Sequence, residues 1–96
     1  MNIKDLENLR DGQEVAELTG WVDNIRDHGG LTFVDLRDFT GLIQLVFDKS
    51  GDVDPKLKNE FYISINGSFK KRDATLINDK ILFGDYEIEV THLKII

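Results

Sequence analysis

Between Gly20 and Asp48 the chain reads GWVDNIRDHGGLTFVDLRDFTGLIQLVFD, apolar-rich runs separated by short groups of turn residues. Asp27-His28-Gly29-Gly30 and Phe39-Thr40-Gly41 are turns by composition, and the runs beside them have the character of strands. Such a stretch has few options beyond an antiparallel meander with one face buried. Two residues disturb the pattern a plain sheet needs. Phe33 sits between polar neighbours, and Gln44 sits inside an apolar run. Residues that break an otherwise consistent pattern are where function is expected to show.

The rest of the chain extends the meander. Ile3, Leu6 and Leu9 recur at helical spacing, which predicts a short helix or turn over residues 3–9, ended by Asp11-Gly12. Val15 to Arg26 reads as a long first strand. Its alternation is imperfect around Trp21, Val22, Asp23 and Ile25, and Gly20 predicts a bulge or sharp bend. Leu31 to Arg37 is the second strand, with Val34 and Leu36 on one face and Phe33, Asp35 and Arg37 on the other. Leu42 to Phe47 is the third, with Ile43, Leu45 and Phe47 sharing a face. Asp48 to Lys58 is polar, holds the only proline, Pro55, and predicts a loop running into a short helix near residues 55–60. Phe61 to Lys70 is a fourth strand, residues 73–83 form a long connection, and Tyr86 to Ile95 is a fifth strand with Ile88 and Val90 inward. A meander, a helical connection and two more strands is the order of an OB-fold, a small Greek-key barrel that binds oligonucleotides or oligosaccharides. The expected fold is therefore all-β: a five-stranded OB-fold barrel with a short N-terminal helix and a short helix between strands three and four. An SH3-like barrel fits less well because of that helix.

Composition sets limits. Ninety-six residues with 41% hydrophobic content suit one domain, 1–96, with a single small core. With no cysteine, disulfide staples and thiolate metal sites are excluded. His28 and His92 have no ligand spacing, so no metal is expected. The polar start MNIKDLENLRDG carries no signal-peptide or membrane-span pattern, and a soluble cytoplasmic protein with no membrane partner is expected. The net charge of −6 counts against gripping nucleic acid through phosphates over the whole surface. A nucleic-acid role would need a local basic cluster such as Lys70-Lys71-Arg72, with Arg26 and Arg37 near strand ends, or base stacking and base-edge hydrogen bonds.

The odd residues converge once register is considered. Keeping the core side apolar places Leu36 opposite Ile43 and Val34 opposite Leu45; a slip of one residue would set Gln44 against Leu36. In that register Phe33 and Gln44 are diagonal neighbours on the outer face. A loop of Asp27–Gly30 pairs Arg26 with Leu31 and brings Arg26 to the same face. An exposed aromatic stacks on a base, an amide reads a uracil edge, and arginine contacts a phosphate or base edge. The residues themselves leave plainer readings open. Phe33 fits an apolar patch, Gln44 fits a bond to Asp35, and Arg26 fits a pair with Asp23, Asp27 or Asp35.

The same block resembles the N-terminal anticodon-binding domain of aspartyl-tRNA synthetases, in its pieces GWV, RDHGG, F-x-DLRD and GLIQLVFD. Downstream, Gly67 to Arg72 is similar to that family's basic strand end, and GDYEIEVTHLKII to its closing strand. The resemblance runs from about Gly12 to Ile96 and fits the bacterial-type aspartyl enzyme best. It implies that Phe33 stacks on the middle anticodon base, a uracil, and that Gln44 reads that base's edge. It implies Glu87 for the first base, Arg26 for the anticodon loop, and Lys70 and Arg72 for the backbone or third base. Asn24 and Ile25 replace positions often basic in the family, Leu76 one often polar, and Asp85 a usual glutamate. The implied partners are the anticodon loop of tRNA(Asp) and the rest of a class II aspartate–tRNA ligase, expected to be a homodimer. No cofactor is expected in this domain; ATP and Mg2+ belong to the expected catalytic domain beyond it. The other readings are a freestanding OB-fold binder of single-stranded RNA or DNA, and a protein-interaction module.

Overall fold

The computed structural model describes residues 1–28, 30–48, 57–72 and 84–96. A short 3-10 helix, Ile3–Asn8, precedes strands β1 (Glu14–His28), β2 (Leu31–Asp38), β3 (Gly41–Phe47), β4 (Tyr62–Lys71) and β5 (Tyr86–Ile95). The strands close into a barrel in the order β1-β2-β3-β5-β4. β1, β2 and β3 form the antiparallel meander that their turns dictate. β5 runs parallel to β3 and antiparallel to β4, and β4 pairs with β1 to close the ring. This is the OB-fold. Closure leaves the described sheet without a long open edge, which removes the hazard of edge-to-edge association.

The core is built from the alternate residues that the pattern selects. Val34, Leu36, Ile43 and Leu45 are fully buried, in the register that pairs Leu36 with Ile43 and Val34 with Leu45. Leu18, Val22, Ile63, Ile65, Phe69 and Ile88 fill the rest of the interior. The 3-10 helix adds Ile3 and Leu6 to the same cluster. Its start is fixed by a capping box: the Asn2 side chain accepts from the Asp5 N–H while the Asp5 carboxylate accepts from the Asn2 N–H.

Two expectations need correction, and a third is not shown. The first hairpin is tighter than composition suggested: His28 pairs with Leu31 and Arg26 with Phe33, so Asp27 and His28 belong to β1. Gly30, at φ 87°, supplies the left-handed backbone of the short turn, which lets the strands continue further than the polar residues imply. Gly20 is not a bulge. It is a close approach, where a Cβ would lie 2.7 Å from the Arg37 carbonyl oxygen. Finally, the helix near 55–60 is not shown. Residues 49–56 lie outside those described, and Lys58 to Phe61 close a turn (Phe61 N–H to Lys58 O, 3.2 Å) with Glu60 at φ 70°, a left-handed conformation foreign to a helix interior. The long connection at 73–83, with Leu76, also lies outside the described residues.

Bulges decide which side chains face outward. The β1–β2 register shifts between Val22 and Asn24, so Val22 and then Ile25 turn inward and Arg26 turns outward. The β4–β5 register shifts between Asn66 and Gly67, where Asn66 faces His92 and Gly67 faces Val90. Inward positions on β5 therefore change from Ile88 and Val90 to Leu93 and Ile95, and Glu87 is left on the outer face.

Asp38 ties the helix to the β2–β3 turn. Its carboxylate accepts from the Ile3 N–H at 2.8 Å, the Thr40 N–H at 2.7 Å, the Thr40 hydroxyl at 2.6 Å and the Gly41 N–H at 3.1 Å. Partial burial pushes its carboxyl up, but these donors outweigh burial and hold it below the usual carboxylate value. A carboxyl depressed in the fold contributes stability that is present above its unfolded value and lost as pH falls through its folded value. Asp38→Asn is expected to lose about 1–3 kcal/mol at neutral pH. It is also expected to flatten the acid limb of a urea-midpoint profile taken from about pH 7 to about pH 2. Parallel acid limbs for the two proteins would assign that limb to other carboxylates.

Candidate nucleic-acid interface

The outer face of the barrel carries adjacent rows of side chains set by strand register. Asn24, Asp35, Gln44, Glu87 and Lys70 succeed one another across β1, β2, β3, β5 and β4. The neighbouring row, two residues along each strand, runs Arg26, Phe33, Val46, Glu89 and Ser68. Phe33 thus lies directly opposite Arg26 and diagonal to Gln44. Five of the residues singled out from sequence, Arg26, Phe33, Gln44, Glu87 and Lys70, share this face, and Phe33, Gln44, Glu87 and Lys70 are each half-buried.

A hydrogen-bonded chain joins the first row to the second. The Arg26 guanidinium grips Asp35 with both terminal nitrogens, Nη1 to Oδ2 at 2.6 Å and Nη2 to Oδ1 at 3.0 Å. Nη2 also donates to Gln44 Oε1 at 3.1 Å, and Gln44 Nε2 reaches Glu87 Oε1 at 3.4 Å. The Asp35 contact raises the Arg26 guanidinium further above its already high value, so it stays charged at any working pH. Among the pairings left open by sequence, Arg26 therefore takes Asp35. Gln44 stands opposite Asp35 but bonds Arg26 and Glu87 instead.

Glu87 is the electrostatic centre of the face. Burial pushes its carboxyl above the ordinary value, Arg72 opposes this, Glu89 adds to it, and the Gln44 N–H opposes it. A carboxylate held in that state is under-solvated and ready to accept hydrogen bonds from a ligand. Glu87 and Glu89 border a groove of about 400 Å³ whose apolar lining includes Leu31, Val46 and Val90. An apolar groove with carboxylates at its rim suits a flat heterocycle that offers adjacent N–H donors.

Arg72 behaves differently from what KKR suggests in sequence. It is only 8% exposed, and its Nε donates to the Tyr86 carbonyl at 2.9 Å. Burial lowers its guanidinium from the ordinary value, with Glu87 the main opposing charge. Its charge and that of Glu87 interact, each opposing the effect of burial on the other. Lys70 faces Glu87 across the β4–β5 pair, while Lys71 is exposed. Arg37 is engaged elsewhere, by Asp23 at 3.0 Å and Glu60 at 2.8 Å.

The sequence pattern did not single out Val46 or Glu89, and it offered Asp35 only as an outer-face residue and an optional partner of Arg26 or Gln44. The alternation of β3 puts Val46 on the face of Gln44, and that signal was available. A second aromatic group was also missed as a unit: Trp21 lies 5.7 Å from Phe39 and 4.8 Å from Tyr62, with Phe39 97% exposed.

A closed OB barrel with an aromatic, an amide and a carboxylate on one outer face has the character of a domain that binds oligonucleotides or oligosaccharides. Comparison with known proteins specifies the kind. The tRNA anticodon family of OB-fold nucleic-acid-binding domains matches residues 16–96, and the chain belongs to that family. An aspartate–tRNA(Asp/Asn) ligase of Dictyoglomus turgidum is 45% identical over 93 residues, which is 92% of this chain and 16% of the ligase. An aspartate–tRNA ligase of Staphylococcus aureus is 41% identical over 90 residues, 88% of this chain and 15% of that protein. Among solved structures, the asparaginyl-tRNA synthetase of Entamoeba histolytica superposes with a TM-score of 0.80 at 29% identity, over 100% of this chain and 23% of that one. The chain thus spans under a fifth of the curated relatives it matches. Among the described residues, no helix is long and apolar enough to cross a membrane.

Proposed function

We propose that this barrel reads the anticodon of tRNA(Asp) as the anticodon-binding domain of an aspartate–tRNA ligase. The observation that carries the reading is the Gln44 amide, held between Arg26 and Glu87 beside the Phe33 ring. Phe33 stacks on the middle base, and Gln44 presents an N–H and an oxygen to the edge of that base, a uracil. Glu87 accepts from the adjacent N1–H and N2–H donors of a guanine at the first position. Arg26 contributes positive charge at the loop, and Lys70 lies where the backbone or third base would pass. The Arg72 charge works against the burial that pushes the Glu87 carboxyl up and so favours its ionised form.

This division also accounts for an acidic domain in an RNA-binding role. Base readout depends on stacking and hydrogen-bond complementarity, whereas non-specific grip depends on net positive charge. The ligase body, a class II catalytic domain with ATP and Mg2+, a dimeric assembly and a cytoplasmic setting complete the proposal. They rest on the kinship with aspartate–tRNA ligases. No group of three or more His, Cys, Asp or Glu suited to a metal ion occurs among the described residues.

The test is binding of anticodon stem-loops carrying GUC, and each single-base change, at fixed salt. Replacing the middle U should weaken binding; equal affinity would remove the assigned roles of Phe33 and Gln44. Phe33→Ala is expected to cost about 1–3 kcal/mol of binding, the range for one stacked base. Lys71→Ala should cost less at moderate salt, because an exposed lysine contributes a single screened charge. Equal losses in the two variants would point to backbone binding.

A further inference from the structure

We infer that Asp35 is a positioning residue that fixes which way round the Gln44 amide faces its base, and so sets the choice of uracil over cytosine. The inference rests on the anticodon reading above and adds a residue to it.

The chemistry turns on polarity. Uracil offers O4 as acceptor beside N3–H as donor, whereas cytosine offers N4–H2 as donor beside N3 as acceptor. A side-chain amide has the complementary pair for either base, because a half-turn about its last bond exchanges oxygen and nitrogen. An amide free to turn therefore reads both pyrimidines. Only an amide held in one orientation can refuse cytosine.

Gln44 is held by neighbours of opposite and unambiguous character. Arg26 has donors and no acceptor, so only Oε1 can face it, at 3.1 Å from Nη2. The ionised Glu87 has acceptors and no donor, so only Nε2 can face it, at 3.4 Å. Turning the amide would set N–H against N–H on one side and oxygen against oxygen on the other. These contacts use one lone pair of Oε1 and one hydrogen of Nε2. One acceptor site and one donor site remain for the base.

The two sides are not equal. A contact of 3.4 Å is long for a hydrogen bond, so the orientation depends mainly on Arg26. The arginine side chain is 38% exposed and would swing into water if unsupported. Asp35, 17% exposed, prevents this with two bonds to the same fork that holds Gln44. Nη2 carries both links, one hydrogen to Asp35 Oδ1 and the other to Gln44 Oε1. Register fixes the order of the chain, since Asp35 pairs directly with Gln44 and Arg26 with the adjacent Phe33.

The experiment compares stem-loops with U or C at the middle position, bound to the wild-type chain and to Asp35→Asn. The substituted amide matches the aspartate in size but sets an N–H against the guanidinium fork. The wild type is expected to prefer U by about ten- to a hundredfold, the worth of one good bidentate base contact. In Asp35→Asn the preference should shrink to about threefold or less, with the salt dependence of binding unchanged. A general loosening of the fold would weaken both stem-loops and leave their ratio intact. Arg26→Lys, which keeps a cation but lacks the fork, should collapse the ratio in the same way and serves if Asp35→Asn does not fold. In the free protein, the side-chain 15N–1H signals of Gln44 should broaden or shift in either variant. Variants that keep the wild-type preference overturn the inference and leave the anticodon reading standing. A wild type that binds U and C alike overturns both.

Discussion

Phe69→Ala is expected to lower the stability of the barrel by about 3–5 kcal/mol, the range for truncating a buried phenylalanine. For a domain of this size that is a large share of roughly 5–15 kcal/mol in total, and it moves the melting midpoint down by roughly 12–40 °C. The ring is 2% exposed, and it stacks on Tyr86 with centroids 4.4 Å apart and planes 9° from parallel. Its loss leaves a cavity under β4 and β5 and removes the surface that holds Tyr86. The consequence reaches the face outside. The Tyr86 carbonyl accepts from Arg72 Nε, and Glu87 is the next residue. Below its melting point the variant should therefore lose preference for the first anticodon base more than it loses affinity from Phe33 stacking. A urea titration together with stem-loop binding checks both parts. A loss below about 1 kcal/mol would mean that the core closes over the gap.

That coupling of inside and outside was only partly legible in the sequence. The β2–β3 register was readable, because Val34, Leu36, Ile43 and Leu45 leave one apolar solution, and from it Phe33 and Gln44 fall on the outer face. The first hairpin was misjudged because Asp27 and His28 look like turn residues. With Gly30 in the left-handed region a shorter turn suffices, and the strand then keeps two polar residues at its end. Because an offset of two residues preserves side-chain parity, Arg26 still reached the correct face.

The bulges were the harder part. In β5 the apolar positions change parity from Ile88 and Val90 to Leu93 and Ile95. That break is visible in EIEVTHLKI, yet it has no meaning until the partner strand is known. In β1 the extra residue is Asp23, while glycine, the usual mark of a bulge, stands at Gly20 instead. Arg72 was least legible of all. In KKR it reads as a surface cation, and only the closed barrel shows it buried and bonded to the Tyr86 carbonyl.

Gly67→Ala tests the bulge that sets this arrangement. A Cβ at Gly67 would lie 2.3 Å from the Glu89 carbonyl oxygen and 2.8 Å from the Ile88 side chain. Backbone cannot give way as a flexible side chain does, so β4 and β5 must part or change register. The expected cost is about 3 kcal/mol, at the upper end of the usual range for overpacking. The register change has a definite form. Continuing the pairing of Asn66 with His92 without the bulge would bring Lys70 opposite Ile88 in place of Glu87. Such a slip turns Ile88 outward and Glu87 into the core, which the burial of a carboxylate strongly opposes. The strands should therefore separate locally instead of slipping. Amide hydrogen exchange is expected to accelerate in β4 from Gly67 to Lys71 and in β5 from Tyr86 to Val90, while β2 and β3 remain protected. Recognition of the first anticodon base should weaken with it, because Glu87 loses its seat. An alanine variant with unchanged exchange and a stability within about 0.5 kcal/mol of the wild type would show that the bulge is not what turns Glu87 outward.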